Sequence, residues 1–145
     1  MSRVFRHQFS RDGYGNAAPL AEVVIHGQST RTVNLTGLWD TGSSLTLVHI
    51  AYAKSLGYVD HSQLPRKSIA GIGGNIDAVV VCVPRLVIGG MVEIREVEIG
   101  FAPMGPQFRY QMLLGQNGVL SRIWLTHNSK GNGAGFFSFG LRLSH

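Results

Sequence analysis

Short β-branched runs cut off by glycines recur from residue 20 to the end of the chain. This punctuation restricts the fold more than any other feature. LAEVVIH (20–26), the run from Thr32 to Trp39, AVVVCV (78–83) and VEIREVEIG (92–100) hold residues that suit a pleated strand, and glycine-containing turns stand between them. Nineteen of the 145 residues are glycine, nearly double the usual share of about 7%. With 44% hydrophobic and only 14% charged residues, the chain can bury a core, and its length suits one domain. The fold class predicted is all-β, with one or two short helices.

Residues 1–18 contain Gly13, Gly15 and Asn16 and show no clear period. They read as a flexible N-terminal arm ahead of a domain over 19–145, with Val4, Phe5 and Phe9 placed to add a strand to a partner. A strand over 32–39 delivers Asp40 at its end. A short strand resumes at Leu45–Val48, and 49–57 reads as one or two helical turns closed by Gly57. Residues 68–83 read as two strands joined at Gly71-Ile72-Gly73-Gly74. A further hairpin runs from Arg85–Ile88 through Gly89–Gly90 to Met91–Ile99, with a phase slip at Arg95–Glu96 that suggests a bulge. After the loop-like 102–110, residues 111–125 hold a short apolar strand, a glycine and a helical pattern. Phe137, Phe139, Leu141 and Leu143 then keep a period of two. Apolar strand, glycine turn and short helix thus occur twice, at 33–57 and 111–124.

The chemistry concentrates in LWDTGSSLTLV, 38–48. Asp40 stands between an apolar pair and a small polar run. A dehydrated, unpaired carboxylate costs several kcal/mol, so such a site needs donors. Thr41, Ser43 and Ser44 carry hydroxyls, and Gly42 permits close backbone approach. An Asp-Gly type turn closing a strand would use the same residues. The tip Gly71-Ile72-Gly73-Gly74 bares an isoleucine between glycines, which suits either an ordinary glycine hairpin or a tip that closes on something apolar.

Other classes find little support. Net charge is +5, but the basic residues are scattered and not interleaved with aromatics, so no nucleic-acid function is indicated. The longest apolar stretch, Ala78 to Pro84, is too short to span a bilayer. Cys82 is the single cysteine and has no internal disulfide partner. No signal-peptide pattern opens the chain, and a cytoplasmic location is expected. The six histidines show no metal-ligand spacing, so neither a metal nor another cofactor is expected. GNGAG (131–135) lies between two strands, where a hairpin turn fits better than a nucleotide loop.

DTGSS at 40–44, AGIGGNI at 70–76, about thirty residues on, and MLLGQN at 112–117, about seventy residues on, resemble in order and separation the retropepsins, single-domain aspartic proteases of retroviral type. The resemblance covers roughly residues 20–125. It implies a retropepsin-like closed β-barrel or sandwich with a flap hairpin. It also implies that Asp40 is the catalytic aspartate, that the hydroxyl of Thr41 braces two catalytic loops across a dimer, and that the backbone of Gly42 lies along the substrate. Ser43 and Ser44 would continue the substrate floor, and Gly71, Ile72, Gly73 and Gly74 would form the flap tip. Leu113, Leu114 and Gly115 would support the catalytic turn. The viral enzymes place an acid and an arginine where this chain has Ser44 and Gln116. Both partners of that ion pair are replaced by neutral groups, which points to a cellular or bacterial relative.

Hydrolysis by this chemistry needs two carboxylates sharing one proton around a water. Asp12, Asp60 and Asp77 lack the setting of Asp40. The expectation is therefore a homodimer with one Asp40 from each chain, acting on a peptide or protein bound as an extended strand. A retropepsin-like dimerisation or peptide-binding module without proteolysis is the alternative.

Overall fold

The computed structural model describes residues 5–8, 10–11, 17–18, 20–40, 42–60, 64–71, 74–105, 110–128 and 136–141. The strands are β1 (Phe5–Gln8), β2 (Ser10–Arg11), β3 (Ala17–Ala18), β4 (Leu20–His26), β5 (Thr32–Trp39), β6 (Leu47–His49), β7 (Arg66–Gly71), β8 (Gly74–Ile88), β9 (Val92–Ala102), β10 (Met112–Leu114), β11 (Ile123–Asn128) and β12 (Phe136–Leu141). One short helix, α1 (Ala51–Ser55), follows β6, and a 3₁₀ turn, η1 (Leu120–Arg122), precedes β11. The all-β expectation holds.

Six strands close a barrel in the order β4-β5-β10-β6-β9-β8, with β8 pairing back to β4 through Val23↔Ile88 to His26↔Arg85. Closure removes the open edges that a flat sheet would expose. β7 extends beyond the ring on β8, so β7 and the first half of β8 form a projecting hairpin. Its final pair is Gly71↔Gly74, and the tip residues Ile72 and Gly73 lie outside the described residues. The β-branched runs fill the barrel with one core, including Val23, Ile25, Val83, Leu86, Ile94, Val97, Ile99 and Phe101. Trp39 is buried in it. A second, smaller cluster (Leu45, Leu47, Ile69, Ala78, Ala102, Met104 and Leu113) lies where the hairpin base meets the ends of the central strands.

The phase slip at Arg95–Glu96 is not a bulge. Register runs unbroken from Val83↔Val97 to Arg85↔Arg95, so no residue is inserted. Glu96 instead adopts φ 52 opposite Pro84, which has no N–H to give the ladder. Both strands change their inward phase there: Val81, Val83, Val97 and Ile99 are buried on one side of the step, and Leu86, Ile88, Ile94 and Val92 on the other. β8 therefore runs through Pro84 as one strand instead of ending near it. Arg122 of η1 secures the step by donating to the carbonyls of Arg95 and, at 3.0 Å, Glu96.

The other local differences are small. The strand expected from Leu45 begins at Leu47, with Leu45 making an isolated bridge to Asn117. The helix expected over 49–57 is shorter: His49 Nδ1 accepts the Ala51 N–H at 3.0 Å at its start, and Gly57 at φ 94 ends it. Within the stretch read as an arm, β2 pairs with β3 and β1 pairs with β12.

Candidate active site

β5 lies at the centre of the construction, between β4 and β10. Leu38 and Trp39 pair in parallel with Leu113 and Leu114, and the Asp40 N–H donates to the Leu114 carbonyl at 3.0 Å. The carboxylate therefore emerges from a strand end that is fixed on both sides. Asp40 is half-buried. Its Oδ1 accepts the Gly42 N–H at 3.0 Å, and its carbonyl accepts the Ser43 N–H at 3.2 Å. This is an Asx-type turn, which aspartate favours because its short side chain reaches the backbone two residues on.

The turn is zipped to the second loop by backbone bonds. Gln116 N–H donates to Ser43 O at 2.9 Å, Asn117 N–H to Ser44 O at 3.0 Å, and Thr46 N–H to Asn117 O at 3.1 Å. Ser43 Oγ donates to Leu45 O at 2.7 Å. Gly115 is required by space: a Cβ there would sit 2.2 Å from Leu45 O and 2.9 Å from Ser43 O. The expected floor residues Asp40, Gly42, Ser43, Ser44, Leu113, Leu114 and Gly115 are thus brought into one assembly. Thr41 lies outside the described residues. Backbone hydrogen bonds tie together the loops that carry Ser44 and Gln116, the positions where the viral enzymes place their ion pair.

One residue of this assembly escaped the sequence reading. Thr46 is fully buried, and no other polar or charged residue is buried among those described. Its Oγ1 accepts the Gly115 N–H at 3.1 Å and donates to Asn117 O at 3.0 Å. The hydroxyl thereby joins the first loop to the second from underneath. A signal was present: Thr46 sits between Leu45 and Leu47, and a polar side chain inside a run with no solvent face needs partners.

The hairpin of β7 and β8 meets this floor. Ile69 and Ile76, paired across the hairpin, pack in the same cluster as Leu38, Leu45, Leu47 and Leu113. Gly71 and Gly74 close the described part of the tip. Among the described residues no group of three or more His, Cys, Asp or Glu side chains gathers as a metal site. No helix of these residues is long and apolar enough to cross a membrane. Away from the floor, burial pushes the Tyr58 hydroxyl above its ordinary pKa, and the charge on Cys82 adds to the shift.

A family model described as aspartyl protease matches residues 21–117, which span the Asp40 turn, the hairpin and the second loop. The chain belongs to the aspartyl protease family. Among solved structures the chain is similar to a retropepsin-like aspartic protease from Rickettsia conorii. The two are 18% identical, the match covers 93% of this chain and 99% of the other, and the TM-score is 0.62. At that identity the likeness establishes the fold, which is retropepsin-like, and the neighbour is bacterial. No curated protein matches the chain.

Proposed function

We propose that the chain is an aspartic endopeptidase whose working unit is a homodimer. The observation that carries this reading is the Asp40 turn: a single carboxylate that accepts the Gly42 N–H, on a residue whose own backbone N–H is held by Leu114 O, with only neutral side chains in the loops that surround it. Two carboxylates about 3 Å apart, the arrangement for which aspartic proteases are the standard example, cannot both ionise, so one holds a proton as acid while the other takes a proton from water. The two titrate as a pair. One chain offers one such acid, so the second comes from a twofold-related Asp40.

In this reading Gly42, Ser43 and Ser44 border an extended peptide, and the glycine-rich hairpin tip with Ile72 closes over it. Thr41 braces the loops across the axis. Leu113, Leu114 and Gly115 act indirectly, by holding the Asp40 turn. Activity is highest on the acid side of neutrality, because the shared proton has to be retained.

Purified protein and Asp40→Asn are incubated with a peptide mixture between pH 4 and 7, and products are mapped by mass spectrometry. The wild type is expected to cleave, and the variant to lose about 10²–10⁴-fold in rate or more. Equal cleavage by both proteins rules out Asp40 as catalyst. Binding of peptides by both, with turnover by neither, assigns the chain to the peptide-binding module.

A further inference from the structure

Both ends of the chain meet in one three-stranded antiparallel sheet, ordered β1-β12-β11. All six residues of β12 pair with β11, from Ile123↔Leu141 to Asn128↔Phe136. On its other side β12 pairs with β1, from Phe5↔Phe139 to Gln8↔Phe136. The C-terminal strand is therefore central and flanked on both sides by its own chain. It has no ladder edge left to offer a partner over the paired residues.

A sheet this small is stable when one face is packed. Of the sixteen residues in its strands FRHQ, IWLTHN and FFSFGL, Ile123 is buried in the barrel core, and seven of the other fifteen are Phe, Leu or Trp, which calls for a covering layer. Its place in the fold says what that layer is. β11 starts directly after η1, and η1 is tied to the floor by Leu120 N–H to Gly115 O and Ser121 N–H to Gln116 O, both 2.9 Å. The sheet thus springs from the element next to the Asp40 turn, where a twofold axis bringing two Asp40 carboxylates together has to pass.

We propose that each chain completes its terminal sheet by itself, and that two copies associate by docking these finished sheets without exchanging terminal strands. The inference rests on the reading that two Asp40 residues make one site. Its consequence is that the subunit folds first and pairs second. Dilution then yields a folded, inactive monomer, whereas strand exchange would couple folding to association.

The test places cysteines at Phe5→Cys and Phe139→Cys in a Cys82→Ser background. Directly opposed antiparallel residues have Cα atoms about 4.5–5.5 Å apart, within the disulfide range of about 4.4–6.8 Å. The dimeric protein is oxidised and run on a non-reducing gel. The expected product has the mass of one chain, still cleaves peptide, and dimerises in sedimentation with a Kd within about threefold of the reduced form. A disulfide-linked dimer overturns the proposal and leaves the two-Asp40 reading standing. An oxidised monomer that no longer dimerises overturns it as well. A wild type active as a strict monomer removes both. Should the cysteine variant fold poorly, a dilution series of the wild type decides: activity per chain is expected to fall while far-ultraviolet circular dichroism is unchanged, and parallel loss of both signals refutes the proposal.

Discussion

Replacing Thr46 with valine isolates one hydroxyl beneath the candidate active site. The side chain keeps nearly its volume, so packing is little disturbed, but two hydrogen bonds go. The buried Gly115 N–H, now 3.1 Å from Thr46 Oγ1, loses its partner, and an orphaned buried donor costs about 1–3 kcal/mol. Asn117 O is less affected, because it also accepts the Thr46 N–H at 3.1 Å. Losing its second bond costs about 0.5–1.5 kcal/mol. The added methyl returns about 0.8 kcal/mol, which leaves a net destabilisation of about 2 kcal/mol. Thr46→Ser keeps both bonds and gives up one buried methyl, for about 1 kcal/mol. Urea unfolding at one fixed protomer concentration is expected to rank wild type above Thr46→Ser and Thr46→Val last, with unchanged m-values. Amide exchange at Gly115 is expected to quicken in the valine variant and to stay slow in the serine variant. A valine variant as stable as the serine variant, with Gly115 exchange unchanged, would refute the role given to the hydroxyl.

Three further substitutions test neighbouring and more distant features. Gly115→Ala drives a Cβ against backbone atoms of Leu45 and Ser43, at about 3 kcal/mol or more. Gly90→Ala, at φ 69 with open space around it, costs about 1–2 kcal/mol for the left-handed backbone alone, so thermal unfolding separates the two; equal effects contradict the close packing at Gly115. The raised pKa of Tyr58 means that the folded state holds its proton more tightly than the unfolded chain. That contribution is fully present below pH 10 and is lost as pH climbs through the folded value. Tyr58→Phe is expected to flatten the alkaline fall in stability, and an identical pH profile for the variant counts against the assignment.

The strands were legible because their composition is local: β-branched runs such as LAEVVIH and VEIREVEIG, set off by glycines, mark themselves as strands without reference to a partner. The Asp40 turn was legible for a similar reason, since Asp, Gly and two serines in sequence make an Asx turn without help from the rest of the chain. Where pairing is distant the sequence says less. Nothing near Val23 shows that Ile88 closes the barrel against it, and nothing near Phe5 names Phe139 as its partner. The step at Glu96 looked like an inserted residue because one strand alone cannot reveal that Pro84, on the other, shifts phase with it. Thr46 was passed over for the same cause. Leu45 and Leu47 serve the second cluster and Val48 the first, so both faces of that short strand are covered.

The hydroxyl bond between Thr46 and Asn117 spans 71 residues of sequence, and the Asp40 N–H finds its acceptor at Leu114 over a comparable gap. Contacts so far apart form late, because loop closure has to be paid before they reward it. During synthesis the aspartate leaves the ribosome long before the segment that orients it. A nascent or prematurely ended chain carries the acid without the geometry. On the proposed reading as a peptidase, the parallel pairing of two distant strands works as a timer: the site around Asp40 is not assembled until the barrel is whole.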